Sequence, residues 1–369
     1  MHIVMTVNAA WNITNFRLPL VHFLLEQGHR VTVLAPPDGA EDKLRQMGCD
    51  FVPLEMDTKG LSPIGGWSLY RQMRRHLRDL SPDAVLSFTI KNNLFGALAA
   101  RRLCVPFIPN VTGLGTAFLS SRLLQRVAEA LYRYCFRDLP VVFFQNPDDL
   151  DLFLQRRLIQ PHQARILPGS GIDLSRFQPT PLPGGTAPVF LMIARLIRDK
   201  GVLEYAQAAR IVKQQHPQAQ FRILGPVGAE NRSAIPPEVV AGWDPAVDLD
   251  YLGETSDVRP QIAQADCVVL PSYREGAPRT LIEAAAMARP LIATDVPGCR
   301  SVVQHGITGL LCAPQDGESL ARSCLNFIAL APEQRHAMGL AGRAKMEREF
   351  DQSVVVEAYR AALLDLLGR

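Results

Sequence analysis

Short apolar runs rich in Val and Ile punctuate the chain from end to end, and helical patterns fill the spaces between them. The first half supplies HIVMTV, RVTVLAP, DFVPLE, DAVLSFT, PFIPNVT and VVFFQN; the second supplies VFLMIAR, QFRILG, LDYLG, DCVVLPS, PLIATDV and GLLCAP. Such alternation predicts an α/β protein with parallel sheets buried under helices on both faces. A Pro- and Gly-dense stretch, LPGSGIDLSRFQPTPLPGG, falls between the halves and reads as a linker. In SVVVEAYRAALLDLLGR, the residues Val355, Tyr359, Ala362, Leu363 and Leu366 recur at helical spacing, so a terminal helix docks onto the body. The expected architecture is two Rossmann-like domains facing a cleft, with ligands beyond the carboxyl ends of the strands. The expected boundaries are 1–168 for the first domain, 169–185 for the linker, 186–350 for the second domain and 351–369 for the helix packing back.

Length agrees: 369 residues exceed twice the typical ~150 per domain. A composition of 47% hydrophobic and 20% charged residues is that of an ordinary globular protein and argues against disorder. Seven scattered cysteines, odd in number and mostly within apolar runs, fit buried free thiols in a reducing cytosol, and no Cys-x-x-Cys pair suggests a metal site. The start, HIVMTVNAAW, lacks the basic region of a signal peptide, and no apolar run approaches the ~18 residues of a membrane span. The Asn-x-Ser/Thr triplets are then read as chance matches.

Charge is uneven: residues 1–180 hold 20 Lys and Arg against 15 Asp and Glu, a net of +5, whereas the remainder is at −2 of a whole-chain +3. Two helical segments concentrate the excess. In SLYRQMRRHLRDL, Arg71, Arg74, Arg75 and Arg78 cluster across from Leu69, Tyr70, Met73, Leu77 and Leu80. In LSSRLLQRVAEALYRYCFR, Arg122, Arg126, Arg133 and Arg137 fall within about 60° on a wheel of ~100° per residue. Solvated outer faces explain both stripes, and adsorption to anionic lipid explains them equally.

Two strand-end loops carry candidate chemistry. After VFLMIA comes RLIRDKG, which places Arg195 and Lys200 where two cations can hold a diphosphate and neutralise a departing charge; a solvated turn is the plainer account. After CVVLPS comes REGAPRTLIEA, in which Glu275 sits on the loop and Gly276, Ala277 and Pro278 bring backbone close to a ligand. The N–H groups of Arg279, Thr280 and Leu281 would face an anion. Glu283 can accept from ribose, and Thr280 to Glu283 also fits a capping box.

These motifs together resemble the donor half of glycosyltransferase family 4: ARLIRDKG, then LPSYREGAPRTLIEAAAMARPLIATDVPGCRSVVQHGITGLLCAPQD. The linker signature also matches, at Gly171-Ile172-Asp173 and Phe177. The amino-terminal half, in NFRLPL, SFTIKNNLFGALAA and NVTGLGTAF, is similar to bacterial undecaprenyl-diphosphate-sugar N-acetylgalactosaminyltransferases. The resemblance implies a GT-B fold and a retaining, metal-independent transferase with no cofactor, its nucleotide-sugar donor being a substrate. It implies Arg195, Lys200 and Glu275 as catalytic, and Gly276, Ala277, Pro278, Arg279, Thr280, Leu281, Glu283 and Gly253 as nucleotide-sugar contacts. On the acceptor side it implies Asn15, Arg17, Thr89, Lys91, Asn92, Gly113 and Gly115. Where many members have a histidine near the reacting sugar, this chain has Ile90, and Thr89, Lys91 or Asn92 is the expected substitute.

Two weaker signals are set aside. Gly113-Leu114-Gly115 is followed by Phe118 where a dinucleotide fingerprint needs Gly or Ala, and Asp248-Leu249-Asp250 falls in a strand pattern and reads as structural rather than metal-binding. The expected activity is transfer of a hexose or N-acetylhexosamine, of GalNAc or GlcNAc type, from a UDP-sugar to an undecaprenyl-diphosphate-linked saccharide in surface-glycan biosynthesis. Expected partners are the nucleotide-sugar donor, the polyprenyl-diphosphate glycolipid and an anionic membrane surface, with no nucleic acid. The expected location is the cytoplasmic face of the inner membrane. A soluble acceptor and a non-catalytic nucleotide-sugar binder are the alternatives.

Overall fold

A computed structural model describes residues 1–57, 63–114, 122–228 and 233–367. The chain divides into two compact units, Met1–Gly171 together with Gln352–Arg369, and Ile172–Asp351.

The first unit holds seven parallel strands: β1 His2–Thr6, β2 Arg30–Ala35, β3 Asp50–Pro53, β4 Ala84–Phe88, β5 Phe107–Val111, β6 Val142–Phe144 and β7 Ala164–Ile166, in the order β3-β2-β1-β4-β5-β6-β7. Their sequences read as apolar runs because both faces are covered. On β1, Ile3 and Met5 enter one core layer with Leu20, Val21 and Leu24, while Val4 enters the other with Leu69, Met73 and Leu77. The helix Gln352–Leu367 completes the first layer through Val355, Tyr359, Ala362 and Leu363, with Leu366 packed at its edge, so the helical spacing in the sequence marks its inward face.

The second unit holds β8 Val189–Ile193, β9 Gln220–Leu224, β10 Asp250–Tyr251, β11 Cys267–Leu270, β12 Leu291–Thr294 and β13 Gly309–Cys312, again all parallel, in the order β10-β9-β8-β11-β12-β13. Both sheets share the doubly wound order 3-2-1-4-5-6. The direction of winding reverses between β1 and β4 in one and between β8 and β11 in the other, the places where such sheets bind ligands.

Two features differ from the sequence reading. β7 is a thirteenth strand, too short for its pattern to show: Arg165 and Ile166 are exposed and it pairs only with β6. The segment expected as a linker is largely packed, since Ile172 and Phe177 are buried in the second core. The fully buried Arg289 also donates to the Thr180 and Pro181 carbonyls at 2.9 and 2.8 Å. Its prolines and glycines therefore shape turns on a core rather than a loose tether. Six of the seven cysteines are buried and free, and Cys104 is exposed and free. Among the described residues no helix is long and apolar enough to cross a membrane.

Candidate active site

The loop leaving β8 carries Arg195, exposed and, among the described residues, without a hydrogen-bond partner for its guanidinium. It closes in a single 3-10 turn, Arg198–Lys200, and hands over to the helix Val202–Gln215 at Gly201. Gly201 has φ +76°, and a Cβ there would stand 2.1 Å from the Pro271 carbonyl oxygen. Only glycine lets this turn press against the end of β11. The close approach brings Lys200 to Glu275: Nζ lies 2.5 Å from Oε1, with the side chains 22% and 12% exposed. Ser272 Oγ donates to the same carboxylate oxygen at 2.6 Å.

Two further ties fix these loops against each other. The Tyr273 N–H donates to the Asp199 carbonyl at 2.9 Å, and the Tyr273 hydroxyl donates to Glu204 at 2.8 Å. Desolvation, then the bond to Glu204, pushes the Tyr273 phenol above its usual range, so it remains a donor. From the other side, Gly298 at φ +80° lies under the Glu275 loop, where a Cβ would come within 2.6 Å of the Glu275 and Gly276 carbonyl oxygens. Ser272, Tyr273, Glu204 and Gly298 were not singled out from sequence. Gly298, in DVPGCR just past β12, is the one with a readable signal, a glycine at a strand end.

The helix after the loop begins at Arg279 with Pro278 as its cap. The capping-box expectation fails on that ground. Thr280 is already the second helical residue, and its hydroxyl donates to the Ile193 carbonyl at 3.0 Å, pinning the helix to the end of β8. Leu281 spends its N–H on the Pro278 carbonyl at 3.0 Å, so it is not open to an anion as expected. Glu283 is freed from capping and pairs with Arg279, Nε to Oε1 at 2.7 Å. Burial raises the Glu283 carboxyl above its usual range, and Arg279 opposes the shift. Gly276 and Ala277 lie between Glu275 and Pro278 on the same loop. Gly253 follows β10 and accepts from the Gly225 N–H at 2.8 Å. The structure thus gathers two cation–carboxylate pairs at the carboxyl ends of β8 and β11, a set that can exchange partners with phosphates and sugar hydroxyls.

The remaining sequence-derived candidates lie in the first unit. Asn15 is exposed at the end of the helix Ala10–Phe16. Arg17 is 4% exposed and its guanidinium lies 4.6 Å from the Phe88 ring centroid. Thr89 follows β4 at φ +76°, a strained conformation for a β-branched residue, and caps the helix Ile90–Leu103. Its hydroxyl donates to Asn92 Oδ1 at 2.9 Å, and Asn92 Nδ2 donates to Thr6 Oγ1 at 2.8 Å. Asn92 is fully buried, so its amide serves the fold and is no substitute for the family histidine. The Lys91 ammonium donates to the Asp57 carbonyl. Gly113 follows β5, and Gly115 lies outside the described residues. Asp248 pairs with Arg210, while its carbonyl accepts from buried Lys213 at 2.8 Å, which accounts for it structurally.

Residues 187–329 match the family described as Glycosyl transferases group 1, and residues 15–169 match the Glycosyl transferase 4-like domain. The chain is similar to the N,N'-diacetylbacillosaminyl-diphospho-undecaprenol alpha-1,3-N-acetylgalactosaminyltransferase of Campylobacter jejuni, 26% identical over 370 residues, with 95% of each chain covered. It is also similar to the UDP-Gal:alpha-D-GlcNAc-diphosphoundecaprenol alpha-1,3-galactosyltransferase of Escherichia coli, 25% identical over 73% of this chain and 70% of that one. Among solved structures, Anabaena HepE in complex with UDP and glucose matches with a TM-score of 0.79 at 18% identity, over 99% of this chain and 100% of that one. The sucrose-phosphate synthase of Thermosynechococcus elongatus matches at 0.78 and 18%, over 100% and 99%. The fold is GT-B. With each half of the chain matched in turn and a doubly wound sheet in each, the protein belongs to the family 4-like glycosyltransferases of group 1.

Proposed function

We propose that the protein is a retaining, metal-independent transferase that moves a hexose or N-acetylhexosamine from a UDP-sugar to an undecaprenyl-diphosphate-linked saccharide. The observation that carries this reading is the Lys200–Glu275 pair, set by Gly201 at the ends of β8 and β11, in a chain similar along 95% of its length to a transferase whose name specifies such an acceptor. Arg195 and Lys200 hold the diphosphate and offset the charge that builds on it as the sugar leaves. Glu275, released from Lys200, accepts hydrogen bonds from sugar hydroxyls, and Glu283 accepts from the ribose. The acceptor oxygen attacks the anomeric carbon on the face from which the diphosphate departs. The carbon–phosphate-oxygen bond breaks, and the acceptor's proton passes to the leaving phosphate oxygen.

A lipid-linked acceptor places the enzyme on the anionic cytoplasmic face of the inner membrane. Arg71, Arg74, Arg75 and Arg78 are exposed on the helix Pro63–Leu80 beside Trp67, which is 62% exposed. The second basic helix, Arg122–Phe136, exposes apolar side chains beside its arginines. Val127, Leu131 and Tyr134 are exposed alongside Arg126 and Arg137, while Arg133 donates to the Arg156 and Arg157 carbonyls. Exposed aromatic and aliphatic groups flanked by arginine suit a headgroup region. The test is transfer of radiolabelled sugar from a panel of UDP-sugars to undecaprenyl-diphosphate-linked and soluble saccharides, with the product's anomeric configuration read by NMR. Transfer to the lipid-linked acceptor alone with retained configuration supports the reading; transfer to soluble saccharides only, or with inversion, overturns it.

A further inference from the structure

Arg279 occupies the first position of the helix Arg279–Ala286, directly after Pro278. That end of a helix favours negative charge, because its unpaired N–H groups and the macrodipole are positive there. A cation placed against this rule is held by some other gain. The gain is one turn away: Arg279 Nε donates to Glu283 Oε1 at 2.7 Å, with the two side chains 30% and 13% exposed.

Glu283 has few other sources of charge around it. Arg176 faces it from the segment before Phe177, and Asp257 faces it from the loop after β10. Asp257 is clamped by Arg259 through bonds of 2.8 and 2.7 Å, and Arg259 also donates to the Arg176 carbonyl at 3.3 Å. Among the described residues Arg279 is therefore the cation in direct contact, and burial works against it by favouring the protonated acid. The protonation state matters to a ligand diol. A carboxylate accepts from two hydroxyls, whereas a protonated carboxyl must itself donate and loses one of those bonds.

We propose that Arg279 is a positioning residue for the donor, holding Glu283 ionised and in a single orientation so that it accepts two hydroxyls of the nucleotide ribose. The proposal rests on the ribose role of Glu283 given above. Its consequence is a donor affinity that stays level with pH in the native protein and falls on the acid side once Arg279 is removed.

The test is isothermal titration of the full chain with UDP-N-acetylgalactosamine and UDP-N-acetylglucosamine at about pH 5.5, 7 and 8.5, a window in which their diphosphate does not titrate. The wild type and Arg279→Lys are expected to vary by less than about threefold, and Arg279→Met to weaken from the highest to the lowest pH by up to about tenfold, the loss of one hydrogen bond to a charged acceptor. Glu283→Gln and the double variant should bind weakly and level with pH. A level profile for Arg279→Met at wild-type affinity overturns the proposal. Glu283→Gln binding as tightly as wild type removes instead the ribose role, a separate failure. Should Arg279→Met not fold, as judged by its melting curve, Arg279→Gln answers the same question with the helix-forming stem retained.

Discussion

Lys200→Met isolates the central pair. The ammonium sits 2.5 Å from Glu275 Oε1, and with side chains only 22% and 12% exposed, water screens the two charges weakly. Breaking a fully buried pair by removing one partner costs about 3–5 kcal/mol. Here Ser272 still donates to the stranded carboxylate, and the site is partly open, which reduces the expected loss to about 1–3 kcal/mol. For a unit of this size that is a fall in melting temperature of about 3–10 °C. Adding Glu275→Gln should recover most of it, because the neutral amide keeps an oxygen for Ser272 and leaves no bare charge. Activity should not recover: withdrawing one preorganised charge from a developing anion costs about 100- to 1,000-fold in kcat. Differential scanning calorimetry and initial-rate transfer assays on wild type, both single variants and the double variant measure both quantities. A Lys200→Met protein that melts like wild type and turns over within about tenfold of it would refute the assignment of this pair.

Gly298→Ala forces a Cβ to within 2.6 Å of the Glu275 and Gly276 carbonyl oxygens at φ +80°, so the loop must shift, and affinity for UDP should fall by about tenfold in titration calorimetry. Reversing Arg71, Arg74 and Arg75 to glutamate should abolish co-sedimentation with phosphatidylglycerol vesicles at low salt while leaving UDP binding unchanged; persistent sedimentation would remove the membrane role of that helix. Burial holds His2, His29 and His76 of the first unit below the ordinary 6.5. The unfolded chain therefore takes up protons first, and stability is lost as pH falls through about 6.5 and below. A urea midpoint no lower at about pH 5.5 than at pH 7.5 would contradict this.

The architecture was legible because parallel strands buried on both faces write themselves as apolar runs, and the terminal helix because Val355, Tyr359 and Leu363 keep one face. The positions of Lys200 and Glu275 were legible as motifs at strand ends, but their pairing was not. They lie 75 residues apart, and tertiary contacts join them: the close pass of Gly201 against Pro271 and the bonds of Tyr273 to Asp199 and Glu204. Thr280 misled because its hydroxyl is claimed by a carbonyl from another strand, a tertiary contact that outranks the local capping pattern. Asn92 misled in the opposite direction: a polar residue beside a strand end looks like a ligand contact, yet Thr6 and Thr89 absorb it into the interior. Arg133 and Leu131 show the limit of a helical wheel, which records angle but not what a neighbouring helix offers to cap or cover.

The helix Gln352–Leu367 belongs to the first unit although the entire second unit precedes it in the chain. On the ribosome this reverses the usual order, in which the amino-terminal domain finishes first. The first unit emerges with the layer beneath Ile3, Leu24 and Phe88 unroofed, and Asn110 waits for the Tyr359 hydroxyl, which accepts from its amide at 3.1 Å. The second unit emerges with all six of its strands and both its cores already in hand. A nascent chain stalled before residue 352 should therefore carry one protease-resistant unit and one that still binds chaperones, and the last helix acts as the release step that ends that dependence.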